Sequence, residues 1–232
     1  MLEICFILVE PQVPQNVGAA ARAIKTMGFR DLRVVNSRIH QAEQARWLAH
    51  GSSDILDSAS LYNDLASAIS DCDLSIATTS RLRNRRKDYL TPDKLLEIIK
   101  NKGNSISKIG IVFGREEFGL TNKETDICDL LSTVPMHAKY PSLNLGQTVM
   151  IYTYTLSKLN LSEINLDKPL KNEESQQIKL MKNIKGLLPK LGIQTNQPLY
   201  KRLIDRFALL GRVDIKLGHK IIRKINEKLD SN

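Results

Sequence analysis

The sequence predicts an α/β fold built on a parallel sheet, followed by a small helical extension. Three observations carry this. The uninterrupted apolar run at residues 4–9 suits a strand buried on both faces, and 74–78 and 108–113 read as further short strands. Between them lie stretches with helical spacing and cap signals. Beyond residue 175 the strand signals stop, and three segments with 3.6-type periodicity follow one another.

The elements follow in order. After the first strand, Pro11 and Pro14 punctuate a loop. Asn16 can cap a helix over 17–27 that places Ala20, Ala23, Ile24 and Met27 on one face and stops at Gly28. Residues 32–35 form a second strand, which completes a βαβ unit and hence a parallel pair. Helices are predicted over 41–50, with Trp47 and Leu48 inward, and over 61–69; a strand over 74–78 comes next. Thr91, Pro92 and Asp93 announce a helix to about Ile99. A strand spans 108–113, and Thr121 with Glu124 makes a capping box for a short helix to Leu130. A strand at 131–134 leads to a loop and to a helix over the apolar run 148–156, with Asn144 as the cap residue. The sheet thus has five or six strands. Residues 161–175 read as a linker between a domain over 1–160 and a basic helical extension over 176–232, with helices at 176–191, 198–210 and 213–229.

The 232 residues are 42% hydrophobic and 25% charged, ordinary for a globular chain. The net charge of +9 favours a polyanionic partner, nucleic acid or an anionic membrane. Residues 160–232 hold 15 Lys/Arg against 8 Asp/Glu, so most of the excess lies in the extension. Cys5, Cys72 and Cys128 are odd in number and far apart, which suits reduced buried thiols. His40, His50, His137 and His219 have no ligand spacing, and a transition-metal site is not expected. The N-terminus lacks the basic start of a signal peptide, and no apolar stretch reaches membrane-spanning length. A soluble, cytoplasmic protein is expected.

Three polar clusters stand out, and each has a plain structural reading beside a functional one. Residues 16–22 (Asn-Val-Gly-Ala-Ala-Ala-Arg) can be a capped helix start in which Gly18 and the alanines allow close packing against a strand. No GxGxxG is present, so the dinucleotide fingerprint does not apply. In residues 113–120 (Phe-Gly-Arg-Glu-Glu-Phe-Gly-Leu), Arg115 and Glu116 can be a surface pair, yet they follow a buried strand at the edge where α/β sheets bind ligands. In residues 140–147 (Tyr-Pro-Ser-Leu-Asn-Leu-Gly-Gln), Ser142 and Asn144 can be turn and cap residues, or the loop can hold a ligand through main-chain N–H groups. Arg81, Arg83, Arg85, Arg86 and Lys87 crowd the same edge, either as a solvated face or as phosphate contacts.

In order and spacing the three clusters resemble the three motifs of the SpoU family of RNA 2′-O-methyltransferases, in the SPOUT superfamily. Residues 24–29 (Ile-Lys-Thr-Met-Gly-Phe) and 47–52 (Trp-Leu-Ala-His-Gly-Ser) fit its TrmJ and LasT-like branch. The resemblance covers residues 1–160. It implies a Rossmann-like sheet with a C-terminal trefoil knot that holds S-adenosylmethionine through the backbone of three loops. Carried over, these loops are Thr78, Thr79 and Ser80; Gly114; and Val134, Met136, Ser142, Leu143, Asn144 and Leu145. It implies Arg22 as the essential catalytic residue, serving as base, as stabiliser of the alkoxide or as phosphate anchor. Asn16, Glu116, Ser142 and Asn144 would orient Arg22 and the ribose. Arg22, Arg81, Arg83, Arg85, Arg86, Lys87 and Arg115 would contact RNA, tRNA before rRNA. Family members are generally homodimers, so Arg22 can act across an interface; the apolar face of 148–156 is either that interface or intrachain core. The rival readings are an RNA-binding module that retains the fold without catalysis and a nucleotide-dependent oxidoreductase.

Overall fold

The computed structural model describes residues 2–80, 89–137, 143–159 and 176–229. The first apolar run is strand β1 (Glu3–Val9), buried at every position but Glu3. Helix α1 (Pro14–Thr26) follows, then β2 (Asp31–Val35), α2 (Glu43–Ala49), α3 (Ser53–Asp57), β3 (Ser60–Tyr62) and α4 (Leu65–Ala68). The next elements are β4 (Leu74–Thr78), β5 (Tyr89–Leu90), α5 (Pro92–Lys102), β6 (Lys108–Phe113), α6 (Asn122–Ile127), β7 (Leu130–Ser132) and α7 (Leu145–Ser157). Helices α8 (Gln176–Lys190), α9 (Pro198–Ala208) and α10 (Arg212–Leu229) make up the extension.

The strands form one parallel seven-stranded sheet in the order β3-β2-β1-β6-β4-β7-β5. The expected five or six strands become seven because β3 and β5 are short edge strands of three and two residues. A helix expected over 61–69 is instead β3 followed by α4, which Asp64 caps by accepting from Ser67 N.

Small residues set the helix layer. A Cβ added to Gly18 of α1 would lie 1.9 Å from the Ala45 carbonyl oxygen of α2. Gly18 therefore lets two helices touch, rather than a helix and a strand. This contact also turns α2 the other way from expectation. Ala45 and Ala49 face inward, while Trp47 is 57% and Leu48 42% exposed. Large side chains could not enter a contact closed to a methyl group.

Helix α7 packs its inner face, Leu145, Val149, Tyr152 and Leu156, into the core. Each fully buried side chain of this size stabilises by roughly 1.5–3 kcal/mol. Phe113 meets the Tyr152 ring edge-on at 5.6 Å, and the Tyr152 hydroxyl donates to Ser132 Oγ at 2.8 Å. The run 148–156 is thus mainly intrachain core, with Met150 and Tyr154 left exposed on its outer face.

The extension joins the same core. Leu180, Met181, Ile184, Leu187, Ile215 and Ile222 are buried in one cluster with the sheet and α5. Lys102, fully buried at the end of α5, donates to Gln177 Oε1 at 3.0 Å and to the Leu210 carbonyl at 2.8 Å. Burial pushes its amine down to about 8, against a weaker upward pull from Asp129. The expected linker 161–175 lies outside the described residues. No disulfide joins the three cysteines.

Candidate active site

All strands run the same way, so Val9, Val35, Thr78, Phe113 and Ser132 end at one edge of the sheet. A cavity of about 430 Å³ opens there. Its walls are Thr78–Ser80 after β4, Gly114–Gly119 after β6, Val134 and Met136 after β7, and Leu143 and Leu145 at the head of α7. Eight residues expected at the cofactor, Thr78, Thr79, Ser80, Gly114, Val134, Met136, Leu143 and Leu145, line this one space. Asn144 is the exception: its side chain turns to α7 and α1. Ser142, Arg81, Arg83, Arg85, Arg86 and Lys87 lie outside the described residues.

The cavity suits a ligand of nucleoside size held by main chain, since binding cavities run from about 300 to 1,000 Å³. Gly114 packs so closely on the returning strand of its loop that a Cβ would sit 2.2 Å from the Gly119 carbonyl carbon. The loop closes on itself through Gly119 N–H donating to Arg115 O at 2.8 Å. Thr78 Oγ1 donates to Val112 O at 2.9 Å, which fixes the opposite wall.

At the rim, α1 and α7 cross and a chain of hydrogen bonds joins them. Gly146 N–H donates to Asn144 Oδ1 at 2.8 Å, and Asn144 Nδ2 donates to Asn16 Oδ1 at 2.6 Å. Asn16 Nδ2 donates to Glu116 Oε1 at 3.0 Å. Glu116 also accepts from Gln12 N at 2.9 Å and Val13 N at 3.2 Å. A carboxylate is thereby placed at the positive end of α1, where it is favoured. Each amide uses one donor and one acceptor here, which fixes its orientation.

Asn16 does not cap α1 as expected. Pro14 at the first helical position starts the helix three residues earlier, with Val13 as N-cap and no side-chain cap. Its side chain is consequently available to Glu116 and Asn144. Asn144 does cap α7, in a full capping box with Gln147.

Arg22 does not join this group within one chain. It is exposed on α1 and pairs with none of the described residues. Six residues along a helix are about 600° of rotation, so Arg22 points some 120° away from Asn16. Arg115 was expected on RNA; its guanidinium is instead enclosed by Glu10 and Glu124, with the side chain 13% exposed. Sequence reasoning missed Glu10, which carries no motif signal and meets Arg115 across 105 positions.

The model of the SpoU rRNA Methylase family matches residues 3–154. The chain belongs to the SpoU methylase family. It is 40% identical over 228 residues, 98% of this chain and 99% of the other, to the protein of Escherichia coli K12 named "Uncharacterized tRNA/rRNA methyltransferase LasT". It is 34% identical to the tRNA (cytidine-2′-O-)-methyltransferase TrmJ of Methanocaldococcus jannaschii, over 91% of this chain and 95% of that one. Among solved structures, TrmJ from Z. mobilis ZM4 is similar with a TM-score of 0.65 at 27% identity, covering 96% of this chain and 98% of that one. The residues matched by the family include those that line the cavity and those that form the rim network.

Among the described residues no group of three or more side chains could hold a metal ion, and no helix is long and apolar enough to cross a membrane.

Proposed function

We propose that the chain transfers the methyl group of S-adenosylmethionine to a ribose 2′-hydroxyl of tRNA. The observation that carries this reading is the shared wall between the two parts of the site. Glu116 lines the cavity and also anchors the Asn16–Asn144 pair. Both parts lie within the residues matched by the SpoU methylase family, and the relative named as a tRNA 2′-O-methyltransferase aligns over nearly the whole chain.

Thr78–Ser80, Gly114, Val134, Met136, Leu143 and Leu145 would hold S-adenosylmethionine, mostly through backbone groups. When bound, it supplies an electrophilic methyl on a sulfonium, so no metal is required. The chain's own task is orientation, because transfer needs the hydroxyl in line with that methyl. Asn16 and Asn144 each keep one amide hydrogen outside the rim network, and these donors aim the ribose. Arg22 balances charge developing on the attacking oxygen or holds the adjacent phosphate.

Arg22 reaches the site from a second copy of the chain. Its direction on α1, away from Asn16, supports this, as do the exposed Val13, Met150 and Tyr154 on the same helix layer. A homodimer across α1 and α7 would bury them. A trefoil knot closes residues 1–160. In support, β7 lies between β4 and β5, the two strands that residues 79–88 connect in sequence. The extension over 176–232 grips RNA. Lys216, Lys220, Lys224 and Lys228 recur every fourth residue and form one exposed ridge of α10. The enzyme works in the cytoplasm, with its substrate.

The test is methyl transfer from labelled S-adenosylmethionine to tRNA taken from cells lacking the gene. Ribose 2′-O-methylation of tRNA is expected. Cofactor binding without label in any RNA would overturn the reading.

A further inference from the structure

The Arg115 guanidinium is held on two sides. Its Nε donates to Glu10 Oε2 at 2.7 Å. Its Nη1 and Nη2 donate to the two oxygens of Glu124 at 3.0 Å each, a bidentate fork. Nη1 also reaches the Gly119 carbonyl at 3.4 Å, across the base of the Gly114–Gly119 loop. Asn36 Nδ2 donates to Glu10 Oε1 at 2.8 Å. The bond from Arg115, with that from Asn36, holds the Glu10 carboxyl below the usual carboxylate range. Burial is the largest single influence on the Glu124 carboxyl and pushes it up; the bonds from Arg115 and Thr121 and the Arg115 charge together outweigh it, and the net direction is down.

The backbone on which this rests is strained. Glu10 and Asn36, at the ends of adjacent strands, have φ of 45° and 50°. A left-handed residue other than glycine costs on the order of 1–2 kcal/mol. Asparagine tolerates it through local hydrogen bonding, but glutamate has no such exemption. Such strain persists where surrounding contacts over-determine it, and it concentrates at functional sites.

Among the described residues, neither Glu10 nor Glu124 shares a hydrogen bond with Asn16, Asn144 or Glu116. What Arg115 does touch, through one peptide bond, is Glu116. Resting on the methyltransferase reading, we propose that Arg115, Glu10 and Glu124 form a clamp that positions Glu116 for methyl transfer, rather than a contact to RNA. The clamp ties the ends of β1 and β2 and the head of α6 to one loop. That loop forms a cavity wall and presents Glu116 to α1. The clamp therefore sets the spacing between the cavity and the Asn16–Asn144 pair. Arg115 is a positioning residue.

Two variants test it. Arg115→Lys keeps the charge and loses the planar fork. Glu124→Gln removes the charge and keeps a residue competent for the α6 capping box. Both should lower the single-turnover transfer rate at saturating substrates at least about tenfold, the scale of a sub-ångström misplacement. Dissociation constants for S-adenosylmethionine and tRNA should stay within threefold. A weakened tRNA affinity with an unchanged saturated rate would make Arg115 a phosphate contact and overturn the clamp. So would a wild-type rate in Glu124→Gln. Amide exchange at Gln12 and Val13, whose N–H groups Glu116 accepts, needs no substrate. It should quicken in both variants, and unchanged exchange also overturns the proposal. A wild-type chain that methylates no RNA sinks the functional reading, while the exchange result still decides the clamp.

Discussion

Gly146→Ala is the most informative single change at the rim. A Cβ built there lies 2.7 Å from Ala19 Cβ, 3.3 Å from Asn144 Oδ1 and 3.5 Å from Asn16 O. Ordinary contact begins near 3.4 Å, so α1 and α7 must part by about 0.7 Å at the point where the Asn144–Asn16 bond of 2.6 Å joins them. Overpacking costs typically about 1–3 kcal/mol. Replacing a helical glycine by alanine returns roughly 0.5–1 kcal/mol. The net loss is thus about 0–2.5 kcal/mol, a fall in Tm of up to several degrees for a chain of this length. Activity should suffer more, because displacements of this order cost up to about 100-fold in rate. Single-turnover methyl transfer and calorimetry measure the two effects. Ala19→Gly in the same chain removes the clashing methyl and should bring the rate back to within about threefold, since contacting sites couple. Full activity in Gly146→Ala, or a double variant as slow as the single, refutes the claim that this helix crossing sets the site.

Further outcomes are expected. Arg22→Ala should abolish transfer while changing S-adenosylmethionine affinity less than threefold by calorimetric titration. Arg22→Ala and Glu116→Gln chains, each inactive alone, should regain about a quarter of wild-type activity when remixed as dimers, because a symmetric dimer then holds one intact site per mixed pair. No recovery would place Arg22 in its own chain's site. Lys216, Lys220 and Lys228 changed together to Gln should weaken tRNA binding and reduce the slope of log affinity against log salt by about 2–3, without altering cofactor affinity. Lys102, depressed to about 8 in the fold, binds its proton more weakly there than in the unfolded chain. Stability should therefore rise as pH climbs from about 8 toward 10.5, by at most about 3 kcal/mol, and the rise should vanish in Lys102→Met. Denaturant midpoints across that range measure it.

Much of the fold was legible because parallel strands covered on both faces are rich in apolar residues. β1, an unbroken apolar run from Ile4, stands out most clearly, and the Thr121/Glu124 and Asn144 caps mark where helices begin. The cavity was legible through the resemblance, which brought three distant loops together. What escaped depended on partners far along the chain. Trp47 and Leu48 looked like inward residues until Gly18 and Ala45 left no room for them. Glu124 signalled a cap and gave no sign of its second role beside Arg115. The burial of Lys102 against Gln177 and Leu210 depends on how the extension docks, which no local pattern records. The start of α1 was legible in Pro14, a residue favoured at the first helical position.

The central claim is tested most directly by labelled methyl transfer to tRNA and, separately, to rRNA from cells lacking the gene, with products mapped to the ribose. Label at a 2′-oxygen of tRNA, lost in Arg22→Ala, is the predicted result. Label confined to rRNA, or persisting in Arg22→Ala, would contradict it.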